Sequence, residues 1–313
     1  MRHFFKHLTF LTVLTLLVTS CSESQSKKVT GNKEQQHITL YTHRHYEADK
    51  VIFEKFENET GIKVNVVKAN ADELIQKLQS EGKQSPADLL LTVDAGRLVR
   101  AKNKGLLQKI NSEILDSIVP KHLRDNENQW FGLTKRARII AYDKTKVNPE
   151  ELSSYEDLTN PKWKGKILIR ASGNIYNQSL LASIIANKGE KEAKTWATGI
   201  VKNLARKPKG NDRDQVKAIL AGEGNLAIIN TYYLGKLLNS KDQLEVNAGK
   251  AVSLFFPNQN DRGTHVNISG IGVTKHAPNK DNAIKFIEYL LNKESIIYYP
   301  TEAHLLKKNS QIT

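Results

Sequence analysis

Apolar and polar positions along this chain follow two periods, and the change from one to the other marks out the elements. An opening run from Leu8 to Val18 is apolar apart from its threonines. It falls short of the roughly 20 residues a permanent membrane-spanning helix requires. From His37 the pattern becomes that of a folded body. His37-Ile-Thr-Leu-Tyr-Thr42 reads as a strand, and Glu47 to Glu59 as a helix with Val51, Ile52 and Phe56 apolar and Gly61 just beyond its end. Ile62, Val64 and Val66 alternate in a second strand. Ala71 to Glu81 puts Leu74, Ile75 and Leu78 on one helical face before Gly82, and Asp88-Leu-Leu-Leu-Thr92 is the continuous apolar run of a buried parallel strand. This βαβαβ succession predicts a parallel sheet covered by helices on both faces.

The second half predicts another α/β unit. Trp130 to Tyr142 reads as a long extended segment, and Pro161 to Lys166 as a turn into the strand Ile167–Arg170. Helices are expected at 177–187, 191–204 and 212–221, a strand at 225–230, a returning strand at 251–256 and a last amphipathic helix at 281–291. We therefore expect two lobes, residues 37–132 plus 257–291 and residues 133–256. The chain would cross between them along Leu133–Tyr142 and Val252–Ile271. Lobes joined by strands close on a ligand like a hinge, with the ligand in the cleft.

The segment before His37 carries export chemistry. Arg2, His3 and Lys6 precede the apolar run, as in a signal peptide. Thr19 and Ser20 then lead to Cys21, the only cysteine in the chain, which excludes a disulfide. Val18-Thr-Ser-Cys21 resembles the bacterial lipobox, which implies lipid attachment at Cys21, extracytoplasmic residence at a membrane face and a polar tether over residues 22–36. The formal charge of +14 drops by two when Arg2 and Lys6 leave with the signal. Such a balance suits an anionic ligand or surface. Nucleic acid is discounted, because export separates the protein from it and no arginine-rich aromatic patch occurs.

Catalytic motifs are missing from the sequence. There is no thiol beyond Cys21, no Gly-x-Ser-x-Gly elbow, no His-Glu-x-x-His and no phosphate-cradling glycine loop. Tyrosine is more informative. Tyr46, Tyr176 and the adjacent Tyr232 and Tyr233 each follow a predicted strand, where open α/β sheets bind ligands. A phenol has a pKa near 10 and needs a strong local field to ionise near neutrality, which a trivalent cation supplies. Phenolate is a hard oxygen donor, so several phenolates beside one histidine point to ferric iron, and three of them would neutralise its charge.

With those residues in view, the chain resembles the periplasmic ferric-ion-binding proteins of bacterial iron(III) ABC importers, in the subgroup whose first strand runs into a His-Tyr pair. The resemblance is carried by Tyr41-Thr-His-Arg-His-Tyr46, Ser85-Pro-Ala-Asp88, Lys135-Arg-Ala-Arg138 with Tyr142-Asp143, Pro161-Lys-Trp-Lys164, Ser172-Gly173 with Tyr176, and Ile229-Asn-Thr-Tyr-Tyr233. It spans about His37 to Leu291, and the paired tyrosines are its most specific element. It implies an α/β, two-lobed periplasmic-binding-protein fold of class II with strand hinges and a cleft between the lobes. It also implies a monomer without catalytic turnover that captures Fe(III) and delivers it to a permease and its ATPase. The implied metal ligands are His45, Tyr46, Tyr176, Tyr232 and Tyr233. A synergistic anion such as carbonate or phosphate would lie against Ser172, Gly173, Asn211 and Asn230, with Arg44, Arg136 and Arg138 adding positive charge. The family normally continues with an acidic-Tyr-Pro motif and further helices. This chain reads Tyr298-Tyr-Pro-Thr-Glu-Ala-His304 instead, so residues 292–313 are expected to form an atypical, shortened tail. The alternatives are a receptor of the same fold for a polyamine, thiamine or an oxyanion, and an exported enzyme with a dispersed site.

Overall fold

A computed structural model of the chain describes residues 35–44 and 47–292. Cys21, most of the tether, the His45-Tyr46 pair and the tail from residue 293 lie outside the described residues.

The first βαβαβ unit forms as the periodicity predicts: β1 (His37–Thr42), α1 (Glu47–Thr60), β2 (Lys63–Lys68), α2 (Ala71–Glu81) and β3 (Leu89–Val93). Gly61 ends α1 at a φ of +73°, where its N–H bonds the carbonyl of Glu57 at 2.9 Å. Asn70 and Glu73 close the start of α2 with a reciprocal capping box. β1 pairs in parallel with both β2 and β3. Two helices follow that the apolar pattern does not mark, α3 (Ala95–Asn103) and α4 (Glu113–Ile118).

The long segment expected after Trp130 is one strand, β4 (Phe131–Asp143). It changes sheets midway. Phe131 to Ala137 pairs with β8 (Val266–Val273), whereas Arg138 to Tyr142 pairs with β6 (Leu226–Asn230). Between them the chain forms β5 (Ile167–Leu168), α5 (Ile175–Lys188), α6 (Glu190–Lys202) and α7 (Asp212–Leu220) before β6, then α8 (Tyr232–Leu238), α9 (Gln243–Ala251) and β7 (Val252–Phe255) after it. α10 (Lys280–Leu291) packs back on the first sheet. The strand order is β2-β1-β3-β8-β4-β6-β5, with β7 also on β4. Three expectations change. The strand at 167–170 stops at Leu168, because Arg170 turns towards Asp212. The expected return crossing is strand only in β7 and β8, with turns between. The helices α8 and α9 extend the second layer beyond what was expected.

The inner strands β3 and β6 are buried on both faces, and alternate residues of each serve different cores. In β3, Leu89 and Leu91 pack with α1, α4 and α10, while Leu90 packs with α2 and α3. In β6, Leu226 and Ile228 join α5 and α6, while Ala227 and Ile229 join α7 and α8. Each such side chain removed from water contributes about 1.5–3 kcal/mol. Two helix-covered lobes result, joined by β4 and β8. Among the described residues no helix is long and apolar enough to cross a membrane.

Candidate functional site

The sites of interest lie where strands of the second lobe end. β6 finishes at Asn230, and Tyr232 and Tyr233 open α8 directly after it. Their rings stack at 4.3 Å between centroids. Tyr176 stands in the first turn of α5, whose N-cap Asn174 accepts a bond from the Tyr176 amide at 3.0 Å. The hydroxyl of Tyr232 donates to that of Tyr176 at 3.3 Å. Three phenols from two separate elements are thus brought together. Burial raises the pKa of the Tyr233 phenol, reinforced by the neighbouring Tyr176 and Asp212, while the Tyr232 hydrogen bond and Arg170 oppose the rise. The phenol therefore keeps its proton at neutral pH unless a cation displaces it.

Three arginines surround Tyr176. The guanidinium centres of Arg136, Arg170 and Arg138 lie 5.1, 5.4 and 6.0 Å from the centre of its ring. Their partners are two buried carboxylates. Asp94 accepts from Arg136 at 3.1 Å, and Asp212 accepts from Arg170 at 3.2 Å and from Arg138. Three guanidiniums against two carboxylates leave one positive charge in excess, which favours anionic groups at this point. Among the described residues no cluster of three or more His, Cys, Asp or Glu is placed to hold a metal.

The expected anion residues are spread over different surroundings. Ser172 and Gly173 are exposed in the turn before α5. Asn211 caps α7, its side-chain oxygen accepting from the amides of Arg213 at 2.8 Å and Asp214 at 3.3 Å. Asn230 is buried beside Arg138, which donates to its side-chain oxygen at 3.4 Å. Arg136 is buried in the same cluster. Arg44 forms a bidentate pair with Asp49 at 2.7 and 3.0 Å. His45 and Tyr46 lie outside the described residues. Sequence reading missed Asp94 and Asp212. Asp94 follows an apolar strand and Asp212 opens a helix two residues before Asp214, so neither stands out locally, and each is paired with arginines distant in sequence. Pro161-Lys-Trp-Lys164 is far from the tyrosines in role: Trp163 is a core side chain whose indole N–H donates to Asp157 at 3.1 Å.

Comparison with known proteins agrees with this architecture. The chain is 50% identical over 294 residues to iron uptake protein A1 of Synechocystis, covering 94% of this chain and 80% of that protein. The structure of a Trichodesmium protein (IdiA, FutA) in complex with iron and citrate superposes with a TM-score of 0.81 at 52% identity, covering 84% of this chain and 83% of that one. The apo ferric ion-binding protein A of Pasteurella haemolytica gives a TM-score of 0.79 at 42% identity, over 85% of this chain and 83% of that one. Residues 52–301 match the family described as bacterial extracellular solute-binding protein, whose members bind solutes without catalysis. The chain therefore belongs to the bacterial extracellular solute-binding proteins, in the branch that holds the periplasmic ferric-iron-binding proteins.

Proposed function

We propose that this protein captures ferric iron outside the cytoplasm and delivers it to an ABC importer through that importer's permease and ATPase. Tyr176, Tyr232 and Tyr233 supply tyrosinate oxygens from the second lobe, and His45 and Tyr46 approach from the first as the lobes close. The observation that carries this reading is the meeting of three phenols within one cluster, with Tyr232 and Tyr176 at 3.3 Å. Similar proteins are named for iron uptake and ferric iron binding, which supports the same cargo.

The excess positive charge around Tyr176 supports a companion anion, carbonate or a carboxylate chelator such as the citrate found with the Trichodesmium protein. It would rest against Ser172, Gly173, Asn211, Asn230 and Arg136, with Arg44 steadying the His45-Tyr46 segment. In this reading the two lobes, 37–132 plus 257–291 and 133–256, form a class II binding protein. It acts as a monomer, held at the membrane by lipid on Cys21. An amine receptor of the same fold would need carboxylates open to its cation. Asp94 and Asp212 are already bonded to arginines, which favours iron.

Purified protein mixed with ferric citrate should develop a visible phenolate-to-iron charge-transfer band. Changing Tyr232 and Tyr233 together to Phe should abolish it. Equal iron binding by that double variant would defeat the proposal.

A further inference from the structure

Asp94 stands outside the donor set, yet its carboxylate ties together elements of both lobes. It follows β3 directly and adopts a φ of +85°. A non-glycine residue there is strained and persists only where its surroundings hold it. One carboxylate oxygen caps α3, accepting from the Gly96 amide at 3.1 Å. The other accepts three bonds: from the Ser179 hydroxyl at 2.6 Å, the Asn267 amide at 2.8 Å and Arg136 at 3.1 Å. Asn267 returns a bond of its own, accepting from the Ala95 amide at 3.0 Å.

These partners divide by what hinge motion would do to them. Arg136 and Asn267 lie on β4 and β8, the strands that join the lobes, and stay near any hinge axis. Ser179 lies on α5, whose Leu180 and Ile184 pack in the second lobe's core. Its bond to Asp94 must break if the lobes swing apart. Ser179 is also three residues beyond Tyr176 on the same helix face, and Arg136 covers the Tyr176 ring. Asp94, Arg136, Tyr176, Ser179 and Asn267 line one small cavity.

We propose that Asp94 is a positioning residue, a latch whose bond to Ser179 sets the angle between the lobes and so the place of Tyr176 relative to ligands from the first lobe. The lobe-angle part stands alone; the part concerning Tyr176 rests on the iron reading above.

Two variants separate the possibilities. Ser179→Ala removes only the bond that crosses the cleft, at a helical position where Ala is favoured. Asp94→Asn keeps the cap and a side chain tolerant of positive φ, but removes the charge. Small-angle X-ray scattering of the iron-free full chain should show a larger radius of gyration for both variants than for the wild type. Transfer of bound iron to a chelator, followed by decay of the charge-transfer band, should be on the order of tenfold faster in both, within the usual range of coupling between sites. A purely structural role would lower thermal stability while leaving the scattering and the release rate of Ser179→Ala at wild-type values, and that result overturns the latch. If wild-type protein shows no iron band, the metal reading fails, and the scattering comparison alone decides the latch. If Asp94→Asn does not fold, Ser179→Ala decides it.

Discussion

Replacing Asp212 by Asn removes a negative charge from a position with no solvent exposure. The carboxylate accepts from Arg138, from Arg170 at 3.2 Å and from the Asn230 amide at 2.8 Å. Arg138 is itself buried, so the substitution leaves a guanidinium charge inside the protein without its counter-charge. Breaking a buried pair in this way costs about 3–5 kcal/mol. The Asn230 and Arg170 contacts can partly re-form to an amide oxygen, so the lower end, about 3 kcal/mol, is expected. For a protein of this size that corresponds to a melting temperature lower by roughly 5 °C. Asp72→Asn is the control: Asp72 meets Arg100 at 2.7 Å, but both side chains are about half exposed, and such a pair is worth about 0–1 kcal/mol. Urea unfolding of the iron-free protein, followed by tryptophan fluorescence, measures both. A loss below about 1 kcal/mol for Asp212→Asn, or equal losses for the two variants, would refute the view that Asp212 anchors the arginine cluster.

Trp163→Ala should destabilise the fold by about 3–5 kcal/mol in the same assay, because it empties a buried core site, with little change in iron affinity if the Pro-Lys-Trp-Lys segment is structural. Burial and the nearby arginines, Arg136 first, hold the His265 pKa down to about 4 from its ordinary 6.5. The unfolded chain therefore binds the extra proton between those values, and stability should fall as pH drops from about 6.5 to 4, by at most about 1.4 kcal/mol per pH unit from this group. His265→Gln should flatten that slope. The raised pKa of Tyr233 means that its proton must leave when a metal binds. Apparent ferric affinity should therefore rise with pH, losing about one proton of slope in Tyr233→Phe when titrated against a competing chelator of known protonation.

Much of the first lobe was legible because its strands and helices repeat simple periods. Leu89 to Leu91 read as a buried strand since every residue is apolar, and both faces prove to be covered. The paired tyrosines stood out because they directly follow an apolar strand, and their rings prove to be stacked. α3 was not, since Ala95-Gly-Arg-Leu-Val-Arg-Ala-Lys-Asn103 offers little apolar face, and its start is fixed by Asp94 acting as a cap. The arginines read as positive charge beside an anion, with no partner carboxylate marked by the sequence. The fold settles part of this, for Arg136 and Arg138 have both a carboxylate partner and the ring of Tyr176. Asn211, expected beside an anion, is engaged as a helix cap, a local role that any Asn before a helix is suited to play. Long-range pairings such as Arg138 with Asp212 leave no local signature, which is why the carboxylate partners Asp94 and Asp212 stayed hidden.

The central claim, that a cluster of phenols binds ferric iron, is tested most directly by resonance Raman spectroscopy of the iron-loaded protein with excitation inside its visible band. The account predicts enhanced tyrosinate vibrations that weaken when Tyr176, Tyr232 or Tyr233 is changed singly to Phe and vanish when Tyr232 and Tyr233 are changed together. Iron bound at full occupancy without tyrosinate enhancement, or enhancement undiminished in the double variant, would contradict it.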